Sequence, residues 1–491
     1  MMRCITKRYL ACLRRGNRLV QIANARGFGS YAQRMAADED VTLLILGAGG
    51  DLTHRLLLPG VGSLLKVESS WKITVVGADR ADVTPAQWKK RLEDSFATVP
   101  VPARPLRSVL ARTRYQRTNV LDATELAGLI GSCSGPLVIY FALPPTVSMG
   151  VCKLLEDIDL PADTRLALEK PFGSDEKSAR AFNAQLHRVV PEKQIFRVDH
   201  FLGTSTVLNL IGLRFANRVL QPVWSAEHIE RVEIVYDEDL ALEGRAGYYD
   251  SNGALKDMLQ SHLLQVLAVF AMESVTDLSD QEIQDQKAQV LRATHLWGSS
   301  VKRSTKRAQY TAGTIGRRKI PAYTKEKGVD PSRETETLAQ VKVEVRNNRW
   351  AGVPFTLRSG KALGTARKQI VAYFRPVAHV PGGFRNAAGA DKLIIDLKPG
   401  AVSFVLTMNA EGNPMELEQK ELRAELAPGW MLPYGEVLRE VLGGDAMLSV
   451  RADAAESCWR IMDPVLRAWR QGRVPLETYP AGSAGPDGWQ D

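Results

Sequence analysis

Cysteine is scarce in this chain: five residues in 491 (Cys4, Cys12, Cys133, Cys152, Cys458), odd in number and widely spaced. There is no CxxC and no Cys/His cluster. That excludes the usual zinc spacings and a disulfide framework, so no metal is expected, and a reducing compartment such as the cytoplasm fits best. Long apolar runs are also lacking. The longest, such as 41–46 and 137–143, are strand-sized, well short of the roughly 18 to 20 residues that span a bilayer, so no membrane partner is expected. Acid is missing from one place only. Residues 1–37 hold eight bases (Arg3, Lys7, Arg8, Arg14, Arg15, Arg18, Arg26, Arg34) and no Asp or Glu, and setting these aside leaves 56 bases against 55 acids. The net charge of +9 therefore belongs to a leader on a nearly neutral body. A basic leader is not a groove-binding surface, and no nucleic-acid partner is expected. Two readings of the leader stand side by side: an organelle transit peptide, or an unfolded extension with the functional start at Met35.

What is present is ordinary globular composition, 45% hydrophobic and 24% charged, in a chain long enough for two domains. From residue 41 strand and helix alternate. The run 41–46 reads as a buried strand, 47–51 as a turn, and Leu52 onward as a helix; 73–76 and 137–142 are further strands, and 166–168 leads into Glu169-Lys170-Pro171-Phe172-Gly173. That order predicts an α/β, Rossmann-like doubly wound parallel sheet, with ligands at the carboxyl ends of its strands. Beyond residue 200 the pattern changes. Strands at 229–236, 340–345, 369–374 and 392–397, with a long buried helix over 253–272, predict a larger α+β domain built on an antiparallel sheet. The boundaries expected are a leader at 1–40, a dinucleotide-binding domain at 41–200, an α+β domain at 201–480, and a frayed tail at 481–491. The basic, Gly/Lys/Thr-rich stretch 299–333 reads as a long surface excursion.

The turn Gly47-Ala48-Gly49-Gly50-Asp51-Leu52 lies between a strand and a helix. Glycines there let the backbone approach a pyrophosphate, whose charge the helix N-terminus favours. The third glycine of GxGxxG is replaced by Leu52. The second strand ends in Asp79-Arg80. An acid at this place accepts from ribose hydroxyls and favours NAD; an arginine pairs with a 2′-phosphate and favours NADP. Both are present side by side. Pro144, ending the later strand, is placed with the cofactor.

A series of segments then identifies a family. GAGGDL at 47–52, Glu169-Lys170-Pro171-Phe172-Gly173, Arg197-Val198-Asp199-His200-Phe201-Leu202-Gly203 and Leu213-Arg214-Phe215-Ala216-Asn217 resemble glucose-6-phosphate dehydrogenases. So do the stretch from Gly247-Tyr248-Tyr249-Asp250 to His262-Leu263, and that from Trp350 to Gly360-Lys361. Order and spacing match from about residue 41 to 470. The resemblance implies oxidation of a sugar's anomeric carbon to a lactone, with hydride passed to NADP, NAD being possible. It also implies a homodimer or homotetramer. His262 matches the family's base and Asp199 its partner. Lys170 would touch both sugar and nicotinamide, and His200, Glu238, Asp257 and Lys361 would bind the sugar. The chemistry asks for such a pair: a base titrating near neutrality takes the C1 hydroxyl proton, and a carboxylate on the other ring nitrogen fixes the tautomer.

The departures cluster on one side. A lysine expected after the glycine turn is Leu56, the tyrosine and lysine of the DHYLGK segment are Phe201 and Thr204, and a lysine beyond Lys361 is Ala366. Three lost lysines weaken phosphate binding by on the order of 5 kcal/mol if nothing replaces them; Arg367 or Lys368 are the candidate replacements. The expected substrate is therefore an unphosphorylated or differently substituted hexose, glucose being the simplest. The alternative is glucose 6-phosphate itself, in a glucose-6-phosphate 1-dehydrogenase feeding the pentose phosphate pathway. A non-catalytic paralogue that senses sugar or cofactor is the remaining reading.

Overall fold

The computed structural model describes residues 40–386 and 389–489. The leader, on which both readings above fall, lies outside the described residues. Six parallel strands form the first sheet: β1 (Asp40–Leu46), β2 (Lys72–Asp79), β3 (Arg114–Arg117), β4 (Leu137–Phe141), β5 (Arg165–Glu169) and β6 (Ile195–Val198). Their order is β3-β2-β1-β4-β5-β6, the doubly wound arrangement expected. β1 and β4 are buried along almost their whole length, as strands covered on both faces must be, which is why they read as unbroken apolar runs. The order reverses between β1 and β4, and the crevice at such a switch point is where ligands sit.

The second sheet has ten strands. They are β7 (Ile229–Asp237), β8 (Thr294–Leu296), β9 (Thr305–Thr311), β12 (Leu338–Val345), β13 (Pro354–Gly360), β14 (Arg367–Phe374), β15 (Lys392–Leu397), β16 (Gly400–Asn409), β17 (Leu417–Glu425) and β18 (Leu476–Pro480). A separate hairpin is made by β10 (Gly313–Ile315) and β11 (Arg318–Ile320). The large sheet is mostly antiparallel, but β13 pairs with β7, and β18 with β9, in parallel. These pairings join segments far apart in the chain, and a parallel pair needs such a long connection. Helices Ala246–Ala254, Leu264–Ala271, Asp280–Ala293 and Ala452–Arg470 bury apolar faces around this sheet.

Three expectations need correction. The stretch 299–333 is not simply a surface excursion: β9 is a sheet strand, and Tyr323 is fully buried against Asp250, to which its hydroxyl donates. The tail is not frayed as far as Trp489. Residues 481–489 pack back on the sheet, Trp489 being buried and Ala484 O accepting from Arg358. Finally, the long helix over 253–272 is not uniform. Its first part, Leu255–Leu263, is a wide π-type coil that continues into Leu264–Ala271.

Candidate active site

Strand ends and one irregular helix assemble the site. Asp199 follows β6, and Lys170 directly follows β5 and precedes a cis Lys170–Pro171 peptide. Glu238 follows β7 and Lys361 follows β13. Because those strands run parallel, their ends lie together: Glu238 N donates to Gly360 O at 2.8 Å, and Lys361 Nζ donates to Glu238 Oε2 at 2.7 Å. The π-type coil supplies Asp257 and His262. In an α-helix a five-residue separation leaves side chains about 140° apart. A π-helix bonds i to i+5, which brings them to one face.

His262 and Asp199 are each 2% exposed, with 2.6 Å between His262 Nδ1 and Asp199 Oδ1. Burial alone would push the Asp199 carboxyl up, but the His262 ring, with His200 and Lys170 nearby, holds it well below the usual carboxylate range. Asp199 is thus an anion that only accepts. Nδ1 of His262 carries the proton and donates it, leaving the Nε2 lone pair free to act as a base. Burial lowers the His262 pKa, and Asp199 opposes that effect. Asp199 Oδ1 also accepts from Phe201 N at 3.0 Å, fixing the carboxylate.

Around this pair the expected sugar-binding groups close a ring. Lys170 Nζ donates to Asp257 through both the backbone carbonyl and Oδ1, the latter at 3.1 Å. Burial acts against ionisation of Asp257, but Lys170, His262 and Lys361 together hold its pKa at about 2. Tyr248, not anticipated from the sequence, donates to the same Oδ1 at 3.3 Å. On the other side the Phe201 ring stacks on His262 with centroids 4.0 Å apart, and Tyr236 lies 5.0 Å from Phe201. His200 stacks on Tyr434 at 5.4 Å and meets His262 edge-on at 4.9 Å. Burial, then the adjacent His262 ring, push the His200 pKa down to about 3, so it is neutral. Donor atoms of Asp199, His200 and His262 lie within 4.8 Å of one another, but the Asp–His hydrogen bond occupies one from each of two of them.

Of the two replacement cations considered, the structure brings only one to the cleft. Lys368 pairs in register with Tyr236 and Arg367 with Asp237, so they face opposite sides of the sheet. Lys368 Nζ lies 3.8 Å from Glu238 Oε1, whereas Arg367 sits 3.9 Å from Asp237, which Arg358 already holds at 2.9 Å. Leu56 and Ala366 are exposed, and the Thr204 hydroxyl is spent on Phe201 O at 2.7 Å.

The cofactor side is a cavity of about 150 Å³ at the switch point, lined by Gly47, Asp79, Arg80, Thr118, Leu143 and Val147 among others. Gly47 has φ +88°, and a Cβ there would lie 2.2 Å from Ala142 O, so only glycine fits. Both Asp79 oxygens are occupied by backbone N–H groups, Oδ2 by Gly49 at 2.9 Å and Oδ1 by Arg80 at 2.7 Å. The acid therefore braces the turn. The Arg80 guanidinium is held beside the cavity by Asn119 Oδ1 at 2.9 and 3.1 Å, as a 2′-phosphate requires. Gly50 completes the turn, and Pro144, beside Leu143, is the N-cap of the next helix, Pro145–Leu155. Asp51 and Leu52 do not line the cavity: Asp51 is exposed and pairs with Arg55, and Leu52 packs on the core. The residues present fit NADP.

Two family models match: "Glucose-6-phosphate dehydrogenase, NAD binding domain" over residues 44–209 and "Glucose-6-phosphate dehydrogenase, C-terminal domain" over 211–491. A glucose-6-phosphate 1-dehydrogenase of Gluconobacter oxydans is 35% identical over 470 residues, covering 91% of this chain and 95% of the relative. One from Treponema pallidum is 34% identical, with 91% and 92% covered. The crystal structure of the Mycobacterium avium glucose-6-phosphate 1-dehydrogenase superposes with a TM-score of 0.80 at 30% identity, covering 92% of this chain and 95% of that one. A glucose-6-phosphate dehydrogenase in complex with its substrate glucose-6-phosphate gives 0.82 at 27%, with 92% and 96% covered. None of these supports the expectation of an unphosphorylated hexose; they fit the alternative kept beside it. The sensing reading falls as well, since this is an oxidoreductase acting on a CH–OH group with NADP as cofactor. The chain belongs to the glucose-6-phosphate dehydrogenase family.

Proposed function

We propose that the protein oxidises glucose 6-phosphate at C1 to the δ-lactone. The observation that carries this is the buried Asp199–His262 pair with the Lys170–Asp257 and Lys361–Glu238 ion pairs gathered beside it, in a chain whose near full-length relatives are named for that substrate. His262 Nε2 takes the C1 hydroxyl proton, and Asp199 offsets the positive charge that the ring acquires. Asp257 and Glu238 accept from ring hydroxyls, each carboxylate oxygen having lone pairs to spare. Lys170 sits between the base and the carboxyl ends of the first sheet, where it orients the reacting carbon. Bound NADP supplies the hydride acceptor. The outer strands β16 and β17 expose Met408 and Leu422, which suits contact between copies in a homodimer or homotetramer, and the three described cysteines are free, in keeping with the cytoplasm. The deciding assay is kcat/KM for glucose 6-phosphate and for glucose with purified protein. A preference of at least ~100-fold for the phosphorylated sugar is expected; equal or better use of glucose refutes the proposal.

A further inference from the structure

The three lysines that the family's pattern would place near the sugar phosphate are missing here, as Leu56, Thr204 and Ala366, and so is the tyrosine hydroxyl at Phe201. Beside Phe201, however, stands a different hydroxyl. The Tyr236 ring lies 5.0 Å from the Phe201 ring, and Lys368 Nζ lies 4.7 Å from the centre of the Tyr236 ring. Tyr236 and Lys368 are direct partners across β7 and β14, so their side chains project from the same face and cannot part without breaking the ladder.

Both groups have capacity to spare. The Tyr236 hydroxyl makes no hydrogen bond to any described residue. Burial, followed by the nearby Glu238 charge, pushes its pKa up to about 12, so it keeps a proton to donate. Glu238 faces two ammonium groups, Lys361 at 2.7 Å and Lys368 at 3.8 Å. One carboxylate neutralises one lysine, and the shorter contact goes to Lys361. Lys368 is left as a net positive charge in a cleft where its side chain keeps only 16% exposure. A largely buried cation that shares its one carboxylate with a second lysine leaves excess positive charge for an anion to meet, and a phosphate dianion can accept from an ammonium and a phenol together.

We infer that Tyr236 and Lys368 form a re-sited anchor for the substrate's phosphate monoester. The inference rests on the reading of the substrate given above and names the residues that make it possible in a chain lacking the family's own lysines. The sugar then spans the cleft from His262, where C1 reacts, past Phe201 to the Tyr236–Lys368 pair. Arg367, one residue away on the opposite face, takes no part.

The test compares wild type with Lys368→Met, Lys368→Arg, Tyr236→Phe and Arg367→Met, using glucose 6-phosphate, glucose, and inorganic phosphate as a competitive inhibitor. Lys368→Met should raise KM for glucose 6-phosphate at least ~10-fold while kcat changes much less, weaken inhibition by inorganic phosphate by a similar factor, and reduce the preference over glucose. Lys368→Arg should recover most of that loss, and Tyr236→Phe should show a smaller loss of the same kind. Arg367→Met should retain the preference. A wild-type preference for glucose 6-phosphate that survives intact in both Lys368→Met and Tyr236→Phe overturns the anchor and leaves the substrate reading standing. A wild type with no such preference overturns both. Thermal melting of each variant separates a misfolded sample from a folded one, and Tyr236→Phe, which removes a single oxygen, serves if Lys368→Met fails to fold.

Discussion

His262 donates from Nδ1 to Asp199 Oδ1 across 2.6 Å, in a place where neither side chain keeps more than 2% of its surface. That leaves Nε2 as the only basic atom of the ring. His262→Asn should therefore lower kcat at least ~10²-fold, while cofactor affinity, read by fluorescence titration with NADPH, stays the same. Turnover that survives the change would mean that another group takes the proton.

The same burial sets a pH dependence. The base must be neutral, and the His262 pKa lies below its ordinary value because burial disfavours the charged ring. The acid limb of kcat/KM should fall below pH ~6.5, with activity lost as pH drops through that limb and flat above it. A limb centred above pH 7 would contradict the assignment. In Asp199→Asn the negative charge that offsets the imidazolium is gone, and the amide N–H can donate to Nδ1 and trap the wrong tautomer, so kcat should drop ~10²- to 10⁴-fold, with no recovery at high pH.

Glu169 offers a stability test separate from turnover. Burial raises its carboxyl to about 7, against the opposing effect of the Tyr140 and Tyr434 hydroxyls, which both donate to Oε1. Oε2 is left to hold the proton. A raised pKa means that the stabilising contribution is complete below pH ~4.5 and disappears as pH rises through about 7. Glu169→Gln mimics the protonated acid, so denaturant melts should show little difference at pH 4.5 and a more stable variant at pH 8, by roughly 3 kcal/mol at most. A variant less stable than wild type at both values would disprove the buried proton.

On the cofactor side, Asp79 is tied to Gly49 and Arg80 backbone N–H groups, while the Arg80 guanidinium is held by Asn119 and pairs with no carboxylate among the described residues. Arg80→Ala should raise KM for NADP by ~10- to 100-fold, the worth of a charge-assisted phosphate contact. KM for NAD should change far less. Equal losses with both cofactors would place Arg80 outside the 2′-phosphate site.

Much of this was legible beforehand, for physical reasons. Strands buried on both faces leave apolar runs, so β1, β2, β4 and β5 and the ligand positions at their ends could be read directly, while the four-residue β3 and β6 leave no such run and were not. Asp199, His262, Lys170 and Asp257 sit within recognisable segments. What could not be read came from distance along the chain and from local irregularity. Glu238 and Lys361 are 123 residues apart and meet only because β7 and β13 are parallel. Tyr434 reaches Glu169 from 265 residues away. The i, i+5 spacing of Asp257 and His262 argues against a shared face until the π-type coil is seen. The direction of Lys368 against Arg367 depended on a register that no composition reveals.

The sequence predicts a frayed tail, whereas residues 481–489 pack against the turn that carries Lys361. Lys361 begins a tight turn in which Ala362 adopts φ +53°, a left-handed conformation that costs a residue with a Cβ roughly 1–2 kcal/mol. The tail helps to hold it there. Gly482 N donates to Ala362 O at 2.8 Å, Gly364 N donates to Ser483 O at 2.8 Å, and the Tyr479 hydroxyl donates to Lys361 O at 2.7 Å. Trp489 is buried on the same sheet, its indole N–H donating to Glu477 at 3.2 Å and its carbonyl accepting from Arg358. Ending the chain after Pro480 removes the Gly482 and Ser483 bonds and the tryptophan but leaves Tyr479. Lys361 should then lose its fixed approach to Glu238, and KM for the sugar should rise several-fold with a smaller change in kcat. Trp489→Ala alone should lower stability by roughly 3 kcal/mol. If the truncated protein melts earlier yet binds its substrate with unchanged KM, the tail stabilises the sheet without positioning Lys361.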